Sequence, residues 1–307
     1  MLDPLAYLNG RLLRAADLAI PVYDAGFVQG VTVSEQMRTL GGKLFRLSQH
    51  LDRLRHSLEI VGVDPGIEMT QLAEAAEELV AHNHRLLSAG DDLGLSLFVT
   101  PGAYPTLAPP GGSSPTVGMH TYPLPFYLWS ETYRRGQALA VAEIQQVPSA
   151  CWPPELKCRS RMHYFLADRQ ANLKVPGARA LLLDQHRTVI EASTANIVVY
   201  RREDGFLSPP KEKILPGVSI AVLVELASDL GIPFHYRDLE VDDVARADEV
   251  LLSSTSPCLL PVVSLDGRPI AGNKPGSVFQ RALNRWGELA NLDIQQQARQ
   301  FSEREVR

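Results

Sequence analysis

Cysteine is scarce in this 307-residue chain, and the three present, Cys151, Cys158 and Cys258, are odd in number and lack metal-type spacing. That argues against a disulfide framework or a zinc site and for a reducing, cytoplasmic setting. Cys158, beside Lys157, reads as an inert buried thiol rather than a reactive one. No apolar run approaches the ~20 residues needed to span a bilayer. Met1-Leu2-Asp3-Pro4 lacks the basic-then-apolar pattern of a signal peptide. Positive charge is not in excess either: the net charge is −5, and the basic residues are scattered apart from pairs such as Arg134-Arg135 and Arg201-Arg202. Neither nucleic acid nor an anionic membrane is therefore expected as a partner. Internal repeats and long low-complexity tracts are missing as well.

What is present falls into two blocks of mixed strands and helices, which points to an α+β or mixed α/β fold with two domains. The first block opens with Ala6-Tyr7-Leu8 and Arg11-Leu12-Leu13 around Asn9-Gly10, a hairpin signal. A strand runs from Val31 toward Thr39, and Gly41-Gly42 turns the chain into another at Lys43 to Arg46. Ser48 is the expected N-cap of a helix through Ile60 that Gly62 stops, and a second helix is expected from Thr70 to Leu87. Leu93 to Thr100 again reads as strand. Pro101 to Pro125, which includes Pro109-Pro110-Gly111-Gly112, has the composition of loops. The expected domains are residues 1–122 and 130–307, joined by a linker at 123–129. In the second block, strands at 137–142, 178–183, 197–200, 249–252 and 259–263 alternate with helices at 161–173, 218–230 and 277–290.

Three features carry chemistry as an ordered set. Lys157 follows the extended Pro153-Pro154 approach and precedes a helix, so it ends a strand with its amine available. Covalent work needs that amine partly neutral, which burial and the cations Arg159 or Arg161 would promote. Glu191 follows Thr188-Val189-Ile190 and can hold a cationic ring nitrogen protonated. Gly217, Val218 and Ser219 open a helix whose free N–H groups suit an anion. The hydroxyl-rich turn at Thr255-Ser256 adds donors, and Arg53 can grip an anion bidentately. An amine, a carboxylate and a phosphate cradle are the parts that hold pyridoxal phosphate. Each alone also fits an ordinary role: a solvated lysine, a hairpin carboxylate, a helix cap and a surface ion pair.

From about Asp17 to Trp286 the chain resembles the class IV aminotransferases, the fold-type IV pyridoxal-phosphate family. Asp24-Ala25-Gly26-Phe27, Gly30, Glu35, Arg38 and His50 to Leu54 look like its N-terminal block. The resemblance implies a smaller N-terminal α/β domain and a larger C-terminal pseudo-barrel domain that binds the cofactor. It also implies Lys157 as the Schiff-base lysine, Glu191 as the pyridine-nitrogen carboxylate, Asn196 as the Asn of the same block and Arg53 as the phosphate arginine. Leu215 to Ser219 and Thr255-Ser256 match the two phosphate turns, and Arg161 stands near the place of the residue touching the cofactor's phenolic oxygen. The implied partners are an amino donor, either an amino acid or a primary amine, a 2-keto acid acceptor and a second copy of the chain, with active sites at a dimer interface.

Several positions depart from the family pattern. Val198, Ser208 and Ile220 replace an aromatic residue, a Thr and an Arg. Gln29 and Ser34 stand where branched-chain enzymes place aromatic pocket walls. Thr100-Pro101-Gly102 replaces the Thr-Arg-Gly of D-amino-acid enzymes, so their carboxylate-binding Arg is absent. Arg38, Arg159 and Arg161 are the candidate substitutes. The expected activity is transamination. The alternative is an aminodeoxychorismate-type lyase that releases pyruvate, and Glu35 fits the aminotransferase pattern better. A non-catalytic protein that only binds the cofactor is disfavoured by the joint presence of Lys157, Glu191 and Arg53.

Overall fold

The computed structural model describes residues 3–108 and 114–304. The Pro109-to-Gly112 run expected to be loop lies outside them. The chain forms two compact units, Met1–Leu124 with Leu156–Ser160, and Pro125–Glu155 with Arg161–Arg307. Composition gives no sign that Leu156–Ser160 belongs with the first unit.

In the first unit the elements are β1 (Leu5–Leu8), β2 (Arg11–Arg14), α1 (Ala25–Val28), β3 (Val33–Leu40), β4 (Lys43–Leu44), α2 (Leu47–Val61), α3 (Met69–His84), β5 (Leu93–Thr100) and β6 (Thr116–Pro123). The six strands form one sheet in the order β2-β1-β6-β5-β3-β4, with every neighbour antiparallel. Alternation sends Val33, Met37, Leu95, Leu97, Val117 and Met119 to the face covered by α2 and α3, where Leu54, Leu58, Leu72 and Leu79 complete a dry core. Ser34, Gln36, Ser96 and His120 alternate with those residues and so point to the opposite face.

Two sequence expectations need correction here. Ser48 lies inside α2, whose N-cap is Arg46 in a left-handed conformation; the tight turn out of β4 sets the helix start. β6 occupies part of the segment expected to be loop. Its Gly118 is required because a Cβ there would run into the Phe98 ring, so a residue that looks like a breaker is a packing necessity within a strand.

The second unit contains α4 (Thr132–Arg135), β7 (Gln137–Val141), α5 (Met162–Lys174), β8 (Arg179–Leu183), β9 (Val189–Ala192), β10 (Asn196–Arg201), β11 (Gly205–Ser208), α6 (Val218–Asp229), β12 (Phe234–Tyr236), α7 (Val241–Ala245), β13 (Glu249–Ser254), β14 (Cys258–Leu265), β15 (Arg268–Pro269), α8 (Ser277–Ala290) and α9 (Ile294–Gln300). Its sheet runs β12-β11-β10-β13-β14-β7-β8-β9, with β15 on β14. An Ala192–Ala195 bridge ties the end of the last strand, β9, to the residue just before β10, so the sheet curls toward closure, as the pseudo-barrel expectation requires.

Candidate active site

In the first unit the segment around Lys157 serves as an edge strand for the start of β3. Cys158 bridges Val33 in antiparallel fashion. The Ser34 N–H donates to the Lys157 carbonyl and the Arg159 N–H to the Thr32 carbonyl, both at 2.9 Å. From α2, Ser57 Oγ accepts from the Lys157 N–H at 3.1 Å. Lys157 therefore stands on backbone fixed from two sides, as a reactive amine needs.

Arg53 projects from α2 onto Glu35 of β3. Its Nε and Nη2 donate to the two carboxylate oxygens at 2.7 Å each, a bidentate pair. His50 Nδ1 adds a third contact to the same carboxylate at 2.7 Å. Glu35 is 0% exposed. Burial alone would raise its carboxyl, but Arg53 and His50 outweigh burial and hold it at about 2. Burial keeps the His50 ring neutral, with the charges of Arg53 and Lys157 acting in the same direction. Because the Glu35 carboxyl sits at about 2 against an ordinary 4.5, its contribution is complete above the ordinary value and is lost as pH falls through 4.5 toward 2. The loss should be about 3 kcal/mol. Denaturant titrations at pH 6, 4 and 3 should show about 2 kcal/mol of that drop in the parent and a flatter profile in Glu35→Gln.

The other N-terminal residues are mostly structural. Asp24 accepts from Gly26 N–H, Thr100 Oγ1 and Thr116 Oγ1. Arg38 is 1% exposed, donates to the Thr39 carbonyl at 3.0 Å and lies 3.9 Å from Asp92, so the strand's own frame engages it. Gln29 is exposed at the end of α1, and Ser34 is buried on β3.

In the second unit Glu191, on β9, is 3% exposed. Gln146 Nε2 donates to its Oε1 at 2.7 Å, and the Tyr164 hydroxyl donates to the same oxygen. Burial, reinforced by the Glu191 charge, pushes the Tyr164 phenol well above its ordinary range, so it remains a donor. Sequence reasoning missed Tyr164. The only signal was its place in the first turn of α5, beyond the N-cap Arg161.

The candidate anion cradle is built from turns that β10 and β13 bring together. Asn196 pairs with Ser253 across these strands, so the Ser253-to-Ser256 turn and the Asn196 side chain share one end of the sheet. Asn196 Nδ2 donates to the Leu215 carbonyl at 3.0 Å. A Cβ on Gly217 would collide with Asn196 Oδ1, so only glycine lets the turn close this tightly. Gly217 caps α6 without a side-chain hydrogen bond, leaving first-turn N–H groups oriented for an anion. Ser219 is buried in that turn, and among the described residues the buried Ser253 Oγ has no hydrogen-bond partner. This donor set fits a phosphate.

The family model for class IV amino-transferases matches residues 32–265. The chain is a class IV aminotransferase. Among its relatives, a Methanocaldococcus jannaschii protein provisionally named a branched-chain-amino-acid aminotransferase is 27% identical over 286 residues, 92% of this chain and 95% of that protein. A D-alanine aminotransferase of Bacillus licheniformis is 28% identical over 271 residues, covering 87% and 90%. The branched-chain amino acid aminotransferase of Thermobaculum terrenum, solved in its PLP-bound holo form, shares the fold with a TM-score of 0.82 at 18% identity, covering 96% of each chain. The class IV aminotransferase fold thus accommodates both the sheet of antiparallel strands and the curled sheet described above.

Proposed function

We propose that this aminotransferase moves an amino group between an amino acid or primary amine and a 2-keto acid, with pyridoxal phosphate held through Lys157. The observation that carries the reading is the buried Glu191 carboxylate oriented by two neutral donors in the same unit as an uncapped, glycine-opened helix N-terminus. When bound, the cofactor supplies an aldehyde that captures amines and a ring that accepts electrons from the substrate's α-carbon. Lys157 Nζ holds the cofactor and then moves the proton at that α-carbon. Glu191 keeps the ring nitrogen protonated. Gly217, Val218, Ser219, Thr255, Ser256 and Arg53 would hold the phosphate, Asn196 would brace the turn, and Arg161 would stand near the cofactor's phenolic oxygen. The absorbance of the loaded enzyme, titrated with D- and L-amino acids and (R)- and (S)-amines, should bleach with at least one donor and recover on adding a 2-keto acid. Pyruvate released from aminodeoxychorismate without any acceptor would point to the lyase instead.

Glu191→Gln should retain cofactor but lose on the order of 10²-fold or more in kcat, about 2.7 kcal/mol. Tyr164→Phe should lose less, because Gln146 still orients the carboxylate. Single-turnover rates of the two variants check this, and an unchanged kcat in Glu191→Gln would make the carboxylate structural.

A homodimer in the cytoplasm completes the proposal. Met162, Phe165, Leu166 and Leu173 lie along one side of α5 with exposures of 69%, 67%, 40% and 76%, an apolar stripe that a second copy would cover. Among the described residues, no helix is long and apolar enough to cross a membrane, and the cysteines are free.

A further inference from the structure

Lys157 and Arg159 lie two residues apart in an extended segment, on either side of the Val33–Cys158 bridge. Side chains at that spacing project to the same face with their Cα atoms about 7 Å apart. The register opposite Ser34 and Thr32 makes it the polar face of the sheet, away from the core beneath α2 and α3. On that face Gln36, Ser96 and His120 stand side by side on β3, β5 and β6. The guanidinium of Arg159 reaches across and donates from Nη2 to Ser96 Oγ. Gln36 pairs with the Tyr122 hydroxyl, and Tyr122 lies over Gly94, where a Cβ would collide with its ring. Burial lowers the affinity of His120 for a proton, and Arg159 lowers it further, so the imidazole adds no competing charge. Arg159 is itself exposed, unlike Arg38, which is buried against Thr39 and Asp92.

We propose that Arg159 is the specificity-determining residue of this aminotransferase, taking over recognition of the substrate's carboxylate from the arginine that Pro101 replaces. The enzyme would then act on 2-amino and 2-keto acids in preference to plain amines. This rests on Lys157 being the amine at which the reaction occurs, because only then does a carboxylate beside it belong to the reacting molecule. A guanidinium offers a planar fork that matches a carboxylate, and the Ser96 contact fixes the plane of that fork. An amide of the same shape lacks the charge the fork selects.

The test is calorimetric titration of the cofactor-loaded enzyme with pentanoate and, separately, with pentanamide. The parent should bind pentanoate more tightly than pentanamide by about 10- to 100-fold, the range expected for a hydrogen bond between charged groups. Arg159→Leu should lose that preference with its pentanamide affinity unchanged, and Arg159→Lys should recover part of it. Equal binding of the two probes by the parent overturns the proposal, as does a parallel loss of both in Arg159→Leu, which would mark a packing role. Failure of the underlying aminotransferase reading shows separately, as absence of covalent cofactor on Lys157 in the parent.

Discussion

Borohydride reduction of the cofactor-loaded enzyme should place the pyridoxyl label on Lys157, and Lys157→Ala should abolish turnover. The effect is total because one amine both holds the cofactor and moves the proton at the substrate's α-carbon, and the variant loses both roles at once. The backbone beneath it would survive the change. The hydrogen bonds that fix the segment run through main-chain atoms of Ser34 and Lys157, the Thr32 carbonyl and Ser57 Oγ, none of which needs the lysine side chain. The variant should therefore fold and still bind the phosphate end of the cofactor, without the absorbance of the covalent form. Peptide mapping decides the matter: label on Lys174 or Lys211 instead would move the chemistry elsewhere.

Replacing Arg53 should give the second large effect, and it has two parts. A phosphate near neutral pH is close to dianionic, and Arg53 is the charged member of the proposed cradle. Arg53→Ala should cost roughly 2–5 kcal/mol of cofactor affinity, as truncating one partner of a buried charge pair does. The same change strands Glu35, which is 0% exposed and gripped by Arg53 through two bonds. Leaving a buried carboxylate without its cation should destabilise the fold by about 3–5 kcal/mol. Arg53→Lys separates the two parts, since it keeps a cation but loses the fork. Ser219→Ala should cost about 1 kcal/mol of affinity because the backbone donors remain. Equilibrium dialysis of the folded variants checks the first part and denaturant titration the second. Cofactor held as tightly by folded Arg53→Ala as by the parent, with Ser219→Ala weakened, would remove Arg53 from the cradle.

What the sequence made legible was local. Leu93–Thr100 is an apolar run bounded by turn residues, and it is a strand over that full span. Ser277–Ala290 has a helical apolar period and forms a helix with those bounds. Asn9 and Gly10 both adopt positive φ, as a two-residue hairpin demands. What the sequence hid depends on neighbours far along the chain. Thr116–Pro123 looks like loop because its Gly and Pro make sense only beside Phe98 and at a strand end. Arg53 suggests a surface ion pair until β3 and α2 pack and bury it against Glu35. Tyr164 finds Glu191 only because α5 turns its hydroxyl toward β9, a rotation that periodicity does not specify.

The excursion of Leu156–Ser160 into the first unit bears on how this chain can be cut. Residues up to Leu124 look like a self-contained module by sequence order, yet a fragment ending there would lack the strand that shields one margin of β3. The Ser34 amide, the Thr32 carbonyl and the Ser57 hydroxyl would each lose a partner, and a bare strand margin is an invitation to pair with other chains. Shuffling the two units between relatives at the Leu124–Pro125 junction would leave five residues on the wrong side of the exchange. Those five include the lysine on which the chemistry is proposed to rest, so a viable chimaera has to inherit its amine from the same parent as its first sheet.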